Sequence, residues 1–177
     1  IKYAYIASHC TIGPKAIIEG EKFGEEILAK GKRSVHIGRS CRVGAQTHIH
    51  EWAVIKAGAE IAHCEMVRST IGKGTKAKHC SYIGDVQIGC DCNVGAGTVF
   101  GNYDGEAKNV CEVEDGAFIG INNSIVSKSV KKIGRGAYTG AHTLVTKEVG
   151  PDTVVVRAYG PQRVLRKRIA PKPQEET

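Results

Sequence analysis

Aromatic residues make up only 6% of this 177-residue chain, which excludes a core built from large rings. No run of roughly 18 or more apolar residues occurs, so no transmembrane helix is expected. No signal peptide is visible at the start. The first residue is Ile1 rather than Met, which fits an excised domain or a processed start. Seven cysteines are an odd number, and the chain is neither small nor loop-rich, which argues against a disulfide framework. They read instead as buried reduced thiols packing like small hydrophobes. Cys90 and Cys92 are too close, and lack a second pair, for a zinc site. A reducing, cytoplasmic setting fits best. No Gly-rich nucleotide loop on a strand-to-helix turn occurs either, so nucleotidyl transfer is not expected of these residues.

The net charge of +7 raises the question of nucleic acid. Much of the positive charge gathers late, at Arg157, Arg163, Arg166, Lys167 and Arg168, without interleaved stacking aromatics, which argues against it. A solvated tail and an anionic small-molecule partner are the two remaining readings.

What is present is a beat of six. Aliphatic residues recur at Ile37, Val43, Ile49, Ile55, Ile61 and Val67. The beat returns at Ile71, Ala77 and Ile83, then at Ile88, Val94 and Phe100. It returns again at Val113, Ile119 and Ile125, and at Ile133, Thr139 and Val145. Gly often follows the beat, as at Gly38, Gly72 and Gly95, and is expected to permit the turn where a Cβ would be strained. Four places after it sits a small residue such as Cys41, Thr47, Ala53 or Thr75. An ordinary strand alternates with period two and a helix with period 3.6, so six marks a parallel β-helix. Each hexad is one face of a triangular coil, with the beat side chain pointing inward.

The coil starts early, with beats at Ile6, Ile12 and Ile18. Residues 19–34 break the rhythm with charges and read as an excursion. A second interruption, GNYDGEAKNVCE, runs from 101 to 112; a long loop on a rigid scaffold is where function tends to sit. The β-helix occupies 1–150, Gly150-Pro151 stops it, and 151–177 reads as a C-terminal cap and basic tail ending in disorder. The fold class is all-β.

The stretches KAKHCSYIGD, NVGAGT and NYDG, in that order between Lys76 and Gly105, resemble a bacterial acetyltransferase domain. It is the glucosamine-1-phosphate N-acetyltransferase domain of the bifunctional enzyme that is also an N-acetylglucosamine-1-phosphate uridylyltransferase. The likeness extends more weakly from about residue 50 to Gln162. It implies a left-handed β-helix that forms a homotrimer, with active sites between subunits, acetyl-CoA as cosubstrate and an amino sugar phosphate as acceptor.

Residue by residue, the resemblance makes His79 the catalytic base. Chemistry agrees, because an amine attacking a thioester must shed a proton and imidazole titrates near working pH. Tyr82 and Asn93 match sugar contacts, though both serve equally well as surface polar groups. Asn102 and Tyr103 match acetyl-CoA contacts, and Lys108 a loop lysine reaching toward substrate. Ala96 matches a position whose backbone borders the thioester, where N–H groups stabilise an oxyanion. Ala141 and Arg157 match further CoA contacts, and a guanidinium suits its phosphates.

The departures bear on the acceptor. Where the family holds the sugar phosphate with Arg and Lys, this chain has His50 and Val67, with Arg68 adjacent as a substitute. Ile121 replaces a serine of the CoA site. His48 and His50 invite a metal, but no third ligand matches, so none is expected. Two other functions stay open: a transferase for a different amine, and a non-catalytic trimerisation or regulatory β-helix of a sugar nucleotidyltransferase.

Overall fold

The computed structural model describes residues 1–20 and 35–158. From residue 21 on, the first excursion lies outside the described residues, as do Arg163, Arg166, Lys167, Arg168 and the tail.

The described chain contains no helix and winds as a left-handed parallel β-helix with three flat sheets. Sheet one stacks Ala4–Ile6, Val35–Ile37, Ala53–Ile55, Thr70–Ile71, Val86–Ile88, Cys111–Val113 and Lys132–Ile133. Sheet two stacks Thr11–Ile12, Arg42–Val43, Glu60–Ala62, Lys76–Lys78, Asn93–Val94, Phe118–Ile119, Tyr138–Thr139 and Val154–Val155. Sheet three stacks Ile17–Ile18, His48–Ile49, Glu65–Val67, Tyr82–Gly84, Val99–Gly101, Ser124–Val126 and Leu144–Val145. The last strand of sheet two, Val154–Val155, lies beyond Gly150 and Pro151 and pairs with Tyr138–Thr139.

The beat fills the axis. Ile37, Val43, Ile49, Ile55, Ile61, Ile71 and Ile83 are fully buried, as is Phe100. Burying each such side chain contributes about 1.5–3 kcal/mol. The small residue four places on packs in the corner. Where it is Thr, its hydroxyl donates to a glycine carbonyl: Thr47 to Gly44 at 2.9 Å, Thr75 to Gly89 at 2.7 Å, Thr98 to Gly120 at 3.0 Å. A buried hydroxyl needs such a partner.

Three expectations need correction. The inward residue of its strand is Met66, not Val67; Met66 pairs with both Ile49 and Ile83 and is fully buried. The faces on either side of it are five residues long, so the beat slips by one. The glycine after the beat is not the turn residue. Left-handed backbone falls three places after most beats, at Ser40, Gln46, Gly74, Asp91 and Gly97. The glycine directly after the beat is required by the next coil: a Cβ on Gly72 would stand 2.0 Å from the Gly89 carbonyl oxygen. Finally, not every thiol is buried. Cys41, Cys64, Cys92 and Cys111 are, but Cys80 is exposed.

Candidate functional site

The prism edge joining sheet two to sheet three carries His79. Its backbone N–H donates to the Ala62 carbonyl at 2.9 Å, and the Gly97 N–H donates to the His79 carbonyl at 2.8 Å. Higher on the same edge, Asn122 N–H donates to Ala96 O at 2.7 Å and His142 N–H to Ile121 O at 2.8 Å. His79, Ala96, Ile121 and Ala141 therefore rise along one corner, coil upon coil. The His79 side chain is exposed, and its ring stacks 6.5 Å from that of His63 in the coil below.

Asn93 and Tyr82 flank this edge. Asn93 lies on sheet two beside Lys76 and Phe118. Tyr82 lies on sheet three between Glu65 and Val99. Next to Tyr82 opens a hollow of about 350 Å³ lined by Gln46, His48, His63, Cys64, Glu65, Cys80, Ser81 and Tyr82. Glu65 and His63 were not singled out from the sequence. Glu65 was legible as an outward strand position one coil below Tyr82; His63 had no pattern to mark it.

A second cluster occupies a different edge, where sheet three meets sheet one. The Arg68 guanidinium donates to both oxygens of Asp85, Nε to Oδ1 at 2.7 Å and Nη2 to Oδ2 at 2.8 Å. Its Nη1 reaches Glu51 Oε1 at 3.3 Å. The Asn102 carboxamide donates to Asp85 Oδ2. Burial pushes the Asp85 carboxyl up, but the bonds from Arg68 and Asn102 outweigh it and leave it below the ordinary value.

From Asn102 springs the loop at 102–110, closed on itself. Asn109 N–H donates to Asn102 O at 2.7 Å, and Tyr103 and Lys108 form an antiparallel bridge. Asp104 Oδ1 accepts from Ala107 N–H at 2.8 Å and Glu106 N–H at 3.0 Å. Asp104 Oδ2 accepts from Asn109 Nδ2 and pairs with Lys128, both at 3.1 Å. The Ala107 and Glu106 N–H groups, then Asn109 and Lys128, hold the Asp104 carboxyl well below the usual carboxylate range. Tyr103 is exposed, with Lys108 Nζ 5.8 Å from its ring centre.

The expected site residues thus fall into two groups. His79, Tyr82, Asn93, Ala96 and Ala141 share one edge and its flanks; Arg68, Asn102, Tyr103 and Lys108 share another. Arg157 is exposed just after the last strand. His50 bonds Glu65 at 3.0 Å and His48 bonds Glu19 at 3.3 Å, with the two imidazoles stacked at 3.8 Å. No group of three metal-ligating side chains occurs among the described residues.

The bifunctional protein GlmU of Thermotoga maritima is 41% identical over 150 residues, covering 82% of this chain and 33% of that protein. GlmU of Fervidobacterium nodosum is 37% identical over 178 residues, covering 98% of this chain and 38% of that protein. The chain is a GlmU homologue. It spans about a third of the length of these GlmU relatives. No family model matches it. Among solved structures, the acetyltransferase domain of PglB from Neisseria gonorrhoeae in complex with acetyl coenzyme A matches at 15% identity and a TM-score of 0.39, over 88% of this chain and 55% of that one. The polySia-specific acetyltransferase NeuO matches at 14% identity and a TM-score of 0.41, over 99% of this chain and 93% of that one. Neither structural likeness is strong enough to carry an argument.

Proposed function

We propose that this β-helix is an acetyl-CoA-dependent N-acetyltransferase whose acceptor is an amino sugar phosphate, with glucosamine-1-phosphate as the expected example. The observation that carries this reading is an exposed His79 at a coil edge, flanked by Tyr82 and Asn93 and beside a hollow of about 350 Å³. Homology to GlmU supports it. In the reaction, the acceptor nitrogen attacks the thioester carbonyl while His79 takes the proton that the nitrogen loses. The C–S bond then breaks, the amide forms, and CoA leaves as its thiol after taking up a proton. The protein contributes the proton acceptor and the alignment of amine and thioester.

Two groups of site residues on two edges of one prism support a site shared between copies. In a closed homotrimer, the His79 edge of one copy meets the Tyr103–Lys108 loop of its neighbour.

One observation favours a second acceptor class. Arg68, the substitute cation for a sugar phosphate, is already held by Asp85 and Glu51, and His50 by Glu65. An unphosphorylated amino sugar needs neither cation.

The test is release of CoA thiol from acetyl-CoA by the purified chain against a panel of amino sugars and their phosphates. The proposal expects acetylated amine and thiol in equal amounts, fastest with a sugar phosphate. Faster turnover of the unphosphorylated sugar selects the second class. No acetyl-CoA binding at all overturns both and leaves a non-catalytic trimerisation module.

A further inference from the structure

The corner between sheets three and one holds an ionised group that the reaction does not use. Asp85 is 6% exposed and Asn102 is 5% exposed. A buried carboxylate is costly unless it is paired and hydrogen-bonded. Here every side-chain bond of Asp85 leads to the two residues stacked on either side of it, Arg68 one coil before and Asn102 one coil after. Its backbone carbonyl also accepts the Cys111 N–H at 3.2 Å, where the chain re-enters sheet one after the loop. Both ends of the 102–110 excursion are therefore tied to one aspartate.

Tyr82 reaches the same corner from the other side. A Cβ on Gly84 would stand 2.6 Å from Tyr82 Cε1, 2.8 Å from its hydroxyl and 2.7 Å from Asn102 Nδ2. The phenol ring thus lies along sheet three, rooted three residues from His79 and ending beside the Asn102 carboxamide.

We propose that Asp85 is a positioning residue of the transfer site, fixing the Asn102 carboxamide and, through it, the loop that presents Tyr103 and Lys108. In this arrangement Arg68 is a strut that neutralises Asp85, not a ligand for substrate. The carboxylate of Asp85 touches no substrate. It fixes the Asn102 side chain, and the backbone carbonyl of the same residue accepts the Asn109 N–H and closes the loop. The role in transfer rests on the acetyl-CoA reading above; the hold on the loop does not.

The experiment uses Asp85→Asn in the full chain, which keeps the size of the side chain but removes the charge that Arg68 matches. Two quantities are read: amide hydrogen exchange across residues 101–111, and steady-state kinetics with acetyl-CoA. The expected result is faster exchange confined to the loop, with sheet two unchanged. KM for acetyl-CoA should rise while kcat changes less, the loss in kcat/KM reaching up to about 10²-fold for a misplaced contact. Arg68→Lys keeps a cation but loses the bidentate fork, so it should show the same pattern more weakly. Should Asp85→Asn fail to fold, Arg68→Lys carries the test alone.

Unchanged loop exchange overturns the proposal. So does faster exchange spread evenly over all three sheets, which would make Asp85 a general stabiliser. A loosened loop with unaltered kinetics overturns the role in transfer. If the wild-type chain transfers no acetyl group, the functional reading fails by itself, and loop exchange still decides whether Asp85 holds the loop.

Discussion

His79 and Cys80 both lie in left-handed backbone, at φ 67° and 59°, and they are the one adjacent non-glycine pair of this kind among the described residues. Most other corners spend a single left-handed residue. On the six-residue faces that residue stands three places after the beat, which here is Cys80. His79 is the additional one. Its neighbour is fixed by the Cys80 N–H, which donates to the His63 carbonyl at 2.6 Å. Left-handed backbone costs an ordinary L-residue roughly 1–2 kcal/mol. Strain of this kind gathers at working sites, where the surroundings over-determine it.

The pair therefore separates stability from chemistry. Cys80→Gly should raise stability by up to about 1 kcal/mol, because glycine adopts this backbone at no steric cost. It keeps the proton acceptor, so acetyl transfer should fall far less than in His79→Gly. His79→Gly should gain similar stability yet lose transfer by about 10²–10⁴-fold, the usual cost of removing a general base. Chemical denaturation beside a thiol-release assay reads both. If His79→Gly keeps its activity, His79 is not the proton acceptor.

Two glycines should fail in different ways. Alanine at Gly72 would set its Cβ 2.0 Å from the Gly89 carbonyl oxygen, a backbone atom that cannot step aside. Overpacking of this sort costs about 1–3 kcal/mol or more. Alanine at Gly84 meets side chains first, the Tyr82 ring and the Asn102 carboxamide, and would push them from their places rather than the backbone. We expect Gly84→Ala to unfold near the wild-type temperature but to transfer acetyl groups poorly, and Gly72→Ala to show a clear fall in melting temperature. The reverse order would mean that the Tyr82–Asn102 contact has no part in the site.

Acid should open the loop. The Asp104 and Asp85 carboxyls both titrate below the ordinary aspartate value of 3.8. A lowered folded-state value means the ionised form favours the fold. The contribution is whole above the unfolded value and is lost as pH falls through the lower, folded one. Side-chain amide signals of Asn109, bonded to Asp104, should stay put from neutrality to about pH 4 and shift below it. A midpoint at or above 3.8 would contradict the hydrogen-bonded ring seen around Asp104.

Most of the winding was legible, because one inward residue per face leaves a mark that no other fold makes. The slip at Met66 was not, because a five-residue face puts two apolar residues, Met66 and Val67, side by side, and a strict count of six selects the wrong one. The glycines were legible by position but not by cause, since approach of the neighbouring coil has no signature within a single hexad. Asp85 closes the KAKHCSYIGD stretch and passed unremarked for a related reason. Its partners Arg68 and Asn102 are each 17 residues away, one coil on either side, and a local reading cannot see across coils. The same blindness hid that Arg68 was already paired.

Sharing of the site between copies can be tested by mixing defects. His79→Ala removes the base from one edge; Tyr103→Ala with Lys108→Ala strips the loop on another. Each variant alone should form an inactive trimer. If a site combines the His79 edge of one copy with the loop of the next, an equal mixture reassembled from denaturant should recover about a quarter of wild-type sites, since base and loop then assort independently around a closed ring. If instead one chain supplied both groups, every site in the mixture would carry one defect or the other, and no activity would return. Light scattering on the same samples checks the trimer, and a monomer at micromolar concentration would remove the shared site altogether.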